Sequence, residues 1–404
     1  GTMVAVFLLD AVTLTPHAIK LGIWVYLPDM LVVLLLPAFF YRLVLLKKFA
    51  VVPAAWWALG MVWTGLFIWG LTQYGTGAGV DFRPFFYVWL GAAYLATFDY
   101  DESFARGMMK FFVIMGVGIC VIAYFRWTLG AFDDQFYREL ERFDATGIAL
   151  LRVIPAGQAF ILACALLVAA YQATTKRTQP LAWLLSAVFL VTVVALQHRT
   201  VWVASCAGFG ALALALRQMS TGAGAKLFPM LLVAITILSL IAFSGRFQGA
   251  VDSVEDQAVR AISTTSGTFV GRVVGWQALL KTWASSGSPV TYLVGHPFGS
   301  GYQRYGSDFG AEKIGYMPHN FYMQILYRGG LVGLSAFLWV MTQGMKSIWV
   351  KIKCKRDAIS PLLFAILAAQ LVYFIPYGIE YDQLLIIGLM LGVINSERKY
   401  RIGQ

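Results

Sequence analysis

Apolar residues run through this chain in long stretches separated by short polar breaks. The stretches lie near 3–15, 20–46, 50–71, 84–98, 107–129, 148–173, 180–196, 199–216, 226–244, 319–345, 358–376 and 380–395. Most approach the roughly 20 residues that a helix needs to cross a bilayer. Pro28 and Pro37 predict a bend in the second run, because proline removes an amide donor and crowds the preceding turn. The pattern predicts an all-α integral membrane protein with about 12 transmembrane helices, read as a single polytopic domain over 1–404.

Composition supports that reading. Of 404 residues, 59% are hydrophobic and 13% charged, whereas soluble domains carry about 25% charged residues. An ordinary soluble enzyme and a disordered chain are both excluded. The net charge is +11, and its distribution matters more than its size. With the N-terminus in the cytoplasm, the inner connections hold 17 basic residues against five acidic ones, which fits the preference for basic residues on the cytoplasmic side. Both termini are then expected in the cytoplasm of a bacterial inner membrane protein. A basic face meeting anionic lipid accounts for the charge without nucleic acid. Cys120, Cys164, Cys206 and Cys354 have no spacing suited to zinc or to a disulfide framework.

One connection differs from the rest. Residues 245–318, between the ninth and tenth runs, form a long outer loop rich in Ser, Thr and Gly, and loops of that length in a compact protein are usually functional. Within it Trp276, Leu279, Leu280 and Trp283 fall at helical spacing, which predicts an amphipathic helix near the membrane surface.

Ionisable residues in or at the lip of membrane helices are costly, so each is a functional hypothesis. Arg199 lies at the turn between two apolar runs, Arg152 and Arg126 near outer helix ends, Arg272 and Arg304 in the long loop, and His319 directly after Pro318. All are expected on the same side. Guanidinium forks match phosphate oxygens and can hold a diphosphate as its charge develops on leaving. A neutral imidazole at the positive end of a helix can take the proton of an attacking hydroxyl. For each of these residues the bland alternatives are snorkelling, ion pairing or a satisfied helix start. His17, His198 and His296 read as structural. Arg328 lies about nine residues into the tenth run, roughly 13 Å deep at 1.5 Å per residue, and is expected to pair with Glu380 or Asp10.

Weaker motifs carry less. Asp99-Tyr-Asp101 has the form of a sugar-transferase metal motif, but the charge asymmetry places it in the cytoplasm, away from the loop. Gly295-His-Pro-Phe-Gly-Ser-Gly301 lacks the spacing of a phosphate-binding fingerprint and predicts a tight turn bringing Arg304 inward. No metal site is expected.

Taken in order, Arg199, then Arg272 with Trp276, then Pro318-His319-Asn320-x-Tyr322 and Tyr327-Arg-Gly-Gly-Leu-Val-Gly-Leu334 resemble the bacterial O-antigen ligase/polymerase superfamily. The motif-level resemblance is confined to about 195–335. It implies a GT-C-like glycosyltransferase, independent of metal and without a cofactor. The donor would be an undecaprenyl-diphosphate-linked glycan, used at the periplasmic face. The acceptor would be a glycan or lipid-linked glycan, with membrane lipids around the site and room for a chain-length regulator protein as a further partner.

On this reading His319 deprotonates the acceptor while Arg199 and Arg272 hold the diphosphate, and the anomeric centre inverts. Arg152 and Arg304 are second-rank contacts, with Trp276, Tyr302, Tyr316, Asn320 and Tyr322 as sugar-binding candidates. The wording of 295–302 and 327–330 leans toward a polymerase of O-antigen or exopolysaccharide repeat units over a ligase acting on the lipid A core. A transporter or flippase of lipid-linked sugars is the rival from another class, although no internal repeat supports it.

Overall fold

The structure, a computed structural model, describes residues 18–21, 23–129, 153–175, 180–196, 198–219, 268–302, 304–305, 313–314, 317–354, 359–380 and 383–402. It opens with an antiparallel hairpin of β1 (Ala18–Leu21) and β2 (Ile23–Tyr26). Seven helices follow: α1 (Leu27–Phe40), α2 (Ala54–Tyr74), α3 (Thr76–Ala96), α4 (Glu102–Leu129), α5 (Ala156–Thr175), α6 (Pro180–Ala195) and α7 (Arg199–Gln218). After α8 (Thr268–Ala284) and α9 (Pro289–Val294), a two-residue ribbon pairs β3 (Arg304–Tyr305) with β4 (Lys313–Ile314). The last helices are α10 (Phe321–Lys353), α11 (Ser360–Tyr373) and α12 (Gln383–Ile402).

Among the described residues five helices are long and apolar enough to cross a membrane: Ala54–Tyr74, Ser103–Thr128, Ala156–Thr175, Arg199–Gln218 and Phe321–Lys353. Val32–Leu45, Pro180–Ala195, Ser360–Tyr373 and Gln383–Asn395 are apolar but shorter. The chain is a multi-pass, predominantly helical membrane protein. The expected spans near 3–15 and 226–244 lie outside the described residues.

Two spans differ from their apolar runs. The run that starts at 20 is helical only from Leu27, because the β-branched and aromatic stretch Ile23-Trp-Val-Tyr26 pairs as a strand instead. Helix α3 begins at Thr76, eight residues before the apolar run that marks it, and contains Asp81, Arg83 and Pro84. Its charges truncate the hydropathy signal without breaking the helix.

The chain divides into two compact units. In the first (Gly1–Leu31, Asp101–Ile262 and Lys351–Ala369), α5 is the hub. Its alanines at 159, 163, 165, 169, 170 and 173 are all buried, and small residues let neighbouring backbones approach closely. A Cβ on Gly116 of α4 would come within 2.6 Å of Ala165 and 2.9 Å of Phe189 in α6. The segment entering α5 is tied down twice: Arg126 donates to the Val153 carbonyl at 2.7 Å, and His198 donates to the Ile154 carbonyl at 2.7 Å. Arg126 is therefore a buried strut, 4% exposed, and His198 holds the α6–α7 turn.

In the second unit (Val32–Tyr100, Ser263–Val350 and Gln370–Gln404), α3 packs on α2 and α12. Trp56 and Trp89 exchange indole N–H bonds with each other's carbonyls at 3.1 and 3.2 Å. Gly91 and Gly388 admit Leu384 and Leu95 between α3 and α12. Arg42 caps the end of α3, donating to the Thr97 hydroxyl and carbonyl at 2.6 and 2.8 Å, as basic side chains do at helix C-termini. Asp99 is paired with Lys48 at 3.0 Å; Asp101, the first residue of its segment of the first unit, caps α4 there by accepting the Phe104 amide at 2.7 Å. Both carboxylates of that acidic motif thus have structural work.

Candidate active site

Helix α10 is broken at Gly330, whose φ of 59° and ψ of −161° interrupt its helical backbone. A Cβ there would strike the Leu293 carbonyl, so only glycine fits. The Tyr327 carbonyl accepts the His296 amide at 2.7 Å, which docks the loop after α9 against the break.

That loop, residues 295–302, is the tight turn expected from its glycines; Gly295, Gly299 and Gly301 all have positive φ. It wraps a guanidinium. Arg328 has no exposed surface and donates from Nη1 to the Pro297 carbonyl, to Ser300 Oγ at 2.7 Å and to the His296 carbonyl at 3.4 Å. Its Nη2 pairs with Asp81 and reaches the Gly301 carbonyl at 3.3 Å. Asp81 also accepts the Gly299 amide at 3.1 Å. Arg328 is thus paired with Asp81 of α3; Asp10, one of its two expected partners, lies outside the described residues.

Tyr302, a candidate sugar platform by sequence, is 1% exposed. The Arg328 guanidinium lies 4.6 Å from its ring and Tyr327 packs at 5.4 Å. The ring therefore has no face open to a sugar, and burial pushes its phenol well above the usual range. Beside it His296 stacks on Tyr327 at 4.3 Å. Burial, with Arg328 adding to it, lowers the His296 pKa to about 4.

Helix α8 forms where the amphipathic spacing predicts it. Leu279 is buried against Tyr302 and Tyr327, with Trp283, Met317 and Met323 around them. Its apolar face therefore packs on protein. Trp276 is half-buried on the same helix, one turn after Arg272. Arg272 donates to the Pro376 carbonyl at 3.0 Å, and its guanidinium lies 5.3 Å from the centre of the Tyr377 ring.

His319 meets the same ring. It is exposed and sits edge-on to Tyr377 with centres 6.3 Å apart; Tyr377 in turn stacks on Tyr373 at 4.7 Å. His319 precedes the first turn of α10, with Asn320 between them. Asn320 is the N-cap: its Oδ1 accepts the Met323 amide at 2.9 Å, and at 5% exposure it is occupied in starting the helix. Tyr322 donates its hydroxyl to the Leu371 carbonyl at 2.8 Å. Gln324, missed in the sequence, ties the His319 turn to residue 379.

Two of the three expected catalytic residues, Arg272 and His319, therefore flank one aromatic side chain. The third, Arg199, belongs to the first unit, where it is half-buried and opens α7 directly after His198. A cation at that end faces the positive pole of the helix dipole, which is the wrong end for stability and the right one for an anion. The Arg304 backbone pairs with Ile314. Arg152 and Tyr316 lie outside the described residues.

Tyr377 and Asp81 were also illegible as site residues. Pro376-Tyr-Gly378 marks only a break between two apolar runs, and Asp81 sits before the apolar part of its helix. An acid in need of a cation, paired with a cation in need of an acid, was the available signal for Asp81 and Arg328.

No curated protein matches the chain. Residues 184–338 match the family described as O-antigen ligase, and Arg199, Arg272 and His319 all fall inside that stretch.

Proposed function

We propose that the protein is a glycosyltransferase that moves a glycan from an undecaprenyl-diphosphate-linked donor to a sugar hydroxyl at the periplasmic face, polymerising O-antigen or exopolysaccharide repeat units. The observation that carries this reading is the meeting of Arg272 and exposed His319 at Tyr377. It puts a phosphate-binding fork and a proton acceptor about one ring.

In the reaction His319 takes the acceptor hydroxyl proton as the oxygen attacks the anomeric carbon. The bond to the diphosphate breaks, its electron pair goes to the phosphate oxygen, and guanidinium groups stabilise the charge. Arg272 supplies one such group and Arg199 is assigned the same role; attack from the opposite face inverts the centre. Tyr377 and Trp276 are the aromatic candidates for sugar contact. Tyr302 and Asn320 pass from that role to scaffolding, because burial and capping occupy them.

The family description favours a second reading, a ligase that transfers finished polysaccharide to the lipid A core. Purified protein given lipid-diphosphate-linked repeat units alone separates the readings. A ladder of longer products supports the polymerase; product only on addition of core lipid identifies a ligase. No glycosidic product under either condition refutes the transferase and leaves transport. His319→Ala should abolish turnover while preserving donor binding, and full activity in that variant defeats the base assignment.

A further inference from the structure

Gln324 is 1% exposed and lies in the first turns of α10. Its Nε2 donates to the Pro318 carbonyl at 2.6 Å, and its Oε1 accepts the Ile379 amide at 2.7 Å. Both ends of one primary amide are thus committed to backbone, one on each side of His319 and Tyr377. The Pro318 carbonyl also accepts the Asn320 amide at 2.8 Å, which closes the turn that carries His319. Across from it, Gly378 leaves no room for a Cβ, because the space belongs to the Gln324 amide. The same strand of chain presents the Pro376 carbonyl to Arg272 and the Tyr377 ring to both functional groups.

We propose that Gln324 is a positioning residue that sets His319 against Tyr377 and Arg272 by clamping the Pro318–Asn320 turn to residues 378–379. This rests on the reading of His319 as the base. A carboxamide suits the task because it offers a donor and an acceptor at once without charge. Asparagine is one methylene too short to span both partners, and a hydrocarbon side chain makes neither bond. Displacement of a catalytic group by about 1 Å can cost on the order of a hundredfold in rate.

The test uses the full chain in detergent with lipid-diphosphate-linked repeat units, comparing Gln324→Met, Gln324→Glu and His319→Ala. Gln324→Met should lower kcat per folded molecule by about a hundredfold while donor KM stays within about twofold, since α8 holds Arg272. Gln324→Glu turns a carboxylate on the Pro318 carbonyl at neutral pH. Once protonated it can donate there and still accept the Ile379 amide, so its kcat relative to wild type should rise as pH falls. Burial raises the pKa at which this happens.

A purely structural role predicts lower thermal stability with wild-type kcat per folded molecule and a flat ratio across pH; either result overturns the proposal. Should Gln324→Met fail to fold, the pH ratio of Gln324→Glu carries the test alone. An inactive His319→Ala beside a fully active Gln324→Met sinks this inference and spares the base. An active His319→Ala sinks both.

Discussion

Replacing Arg328 by Met should destabilise the protein by about 3–5 kcal/mol, the usual cost of removing one partner from a buried ion pair. The structure supports the upper part of that range. Arg328 has no exposed surface and the Asp81 side chain is 13% exposed. The substitution strands a carboxylate together with the Pro297, His296 and Gly301 carbonyls and Ser300 Oγ. Asp81→Leu strands the guanidinium in the same way and also releases the Gly299 amide. The double variant removes both charges, so its cost should fall short of the sum of the singles by about 1–3 kcal/mol of coupling. Thermal unfolding in detergent, followed by tryptophan fluorescence, measures the cycle; Trp63, packed on Phe85 and close to Gly329, reports from nearby. Melting of Arg328→Met within a degree of wild type would refute the claim that the 295–302 loop is organised by this guanidinium, as would strict additivity.

Arg272→Lys should reduce kcat/KM by about tenfold or more, because an ammonium cannot hold the Pro376 carbonyl and present a second planar pair of donors; steady-state kinetics on the lipid-linked donor measure this. Gly330→Ala should lower the melting temperature, with backbone strain at positive φ costing about 1–3 kcal/mol and the Leu293 carbonyl blocking the new methyl. His296 has a folded pKa of about 4 against an ordinary 6.5. The unfolded chain therefore binds more protons between those values, and stability should fall as pH drops from 6.5 toward 4. Replacing His296 with Gln should flatten that part of the stability profile, as unfolding midpoints across the interval will reveal.

Much of the helical framework was legible because hydropathy is local. The runs at 107–129, 180–196 and 199–216 coincide closely with α4, α6 and α7, and the spacing of Trp276, Leu279 and Trp283 marked α8. What escaped was long-range. Asp81 and Arg328 are 247 residues apart, so no window over either could show the pair, and the charge that ended the apolar run also hid the start of α3. Tyr377 and Gln324 are ordinary residues in their own segments; they matter because α10 and the chain after α11 meet around His319. Asn320 read as a sugar-binding candidate, whereas its side chain caps α10. Tyr302 read as a sugar-binding aromatic because pattern alone does not distinguish a ring open to substrate from one packed under a guanidinium.

The break at Gly330 also sets what the two parts of α10 can each do. From Leu331 to Lys353 the helix runs about 35 Å at 1.5 Å per residue, enough to traverse a hydrocarbon core of about 30 Å by itself. The nine residues from Phe321 to Gly329 are then surplus to the crossing and form a short pedestal at its lip. Arg328 stands in that pedestal, outside the part of the helix that is long enough to cross by itself. Because Gly330 interrupts the helical backbone, the direction of the rod does not by itself fix that of the pedestal.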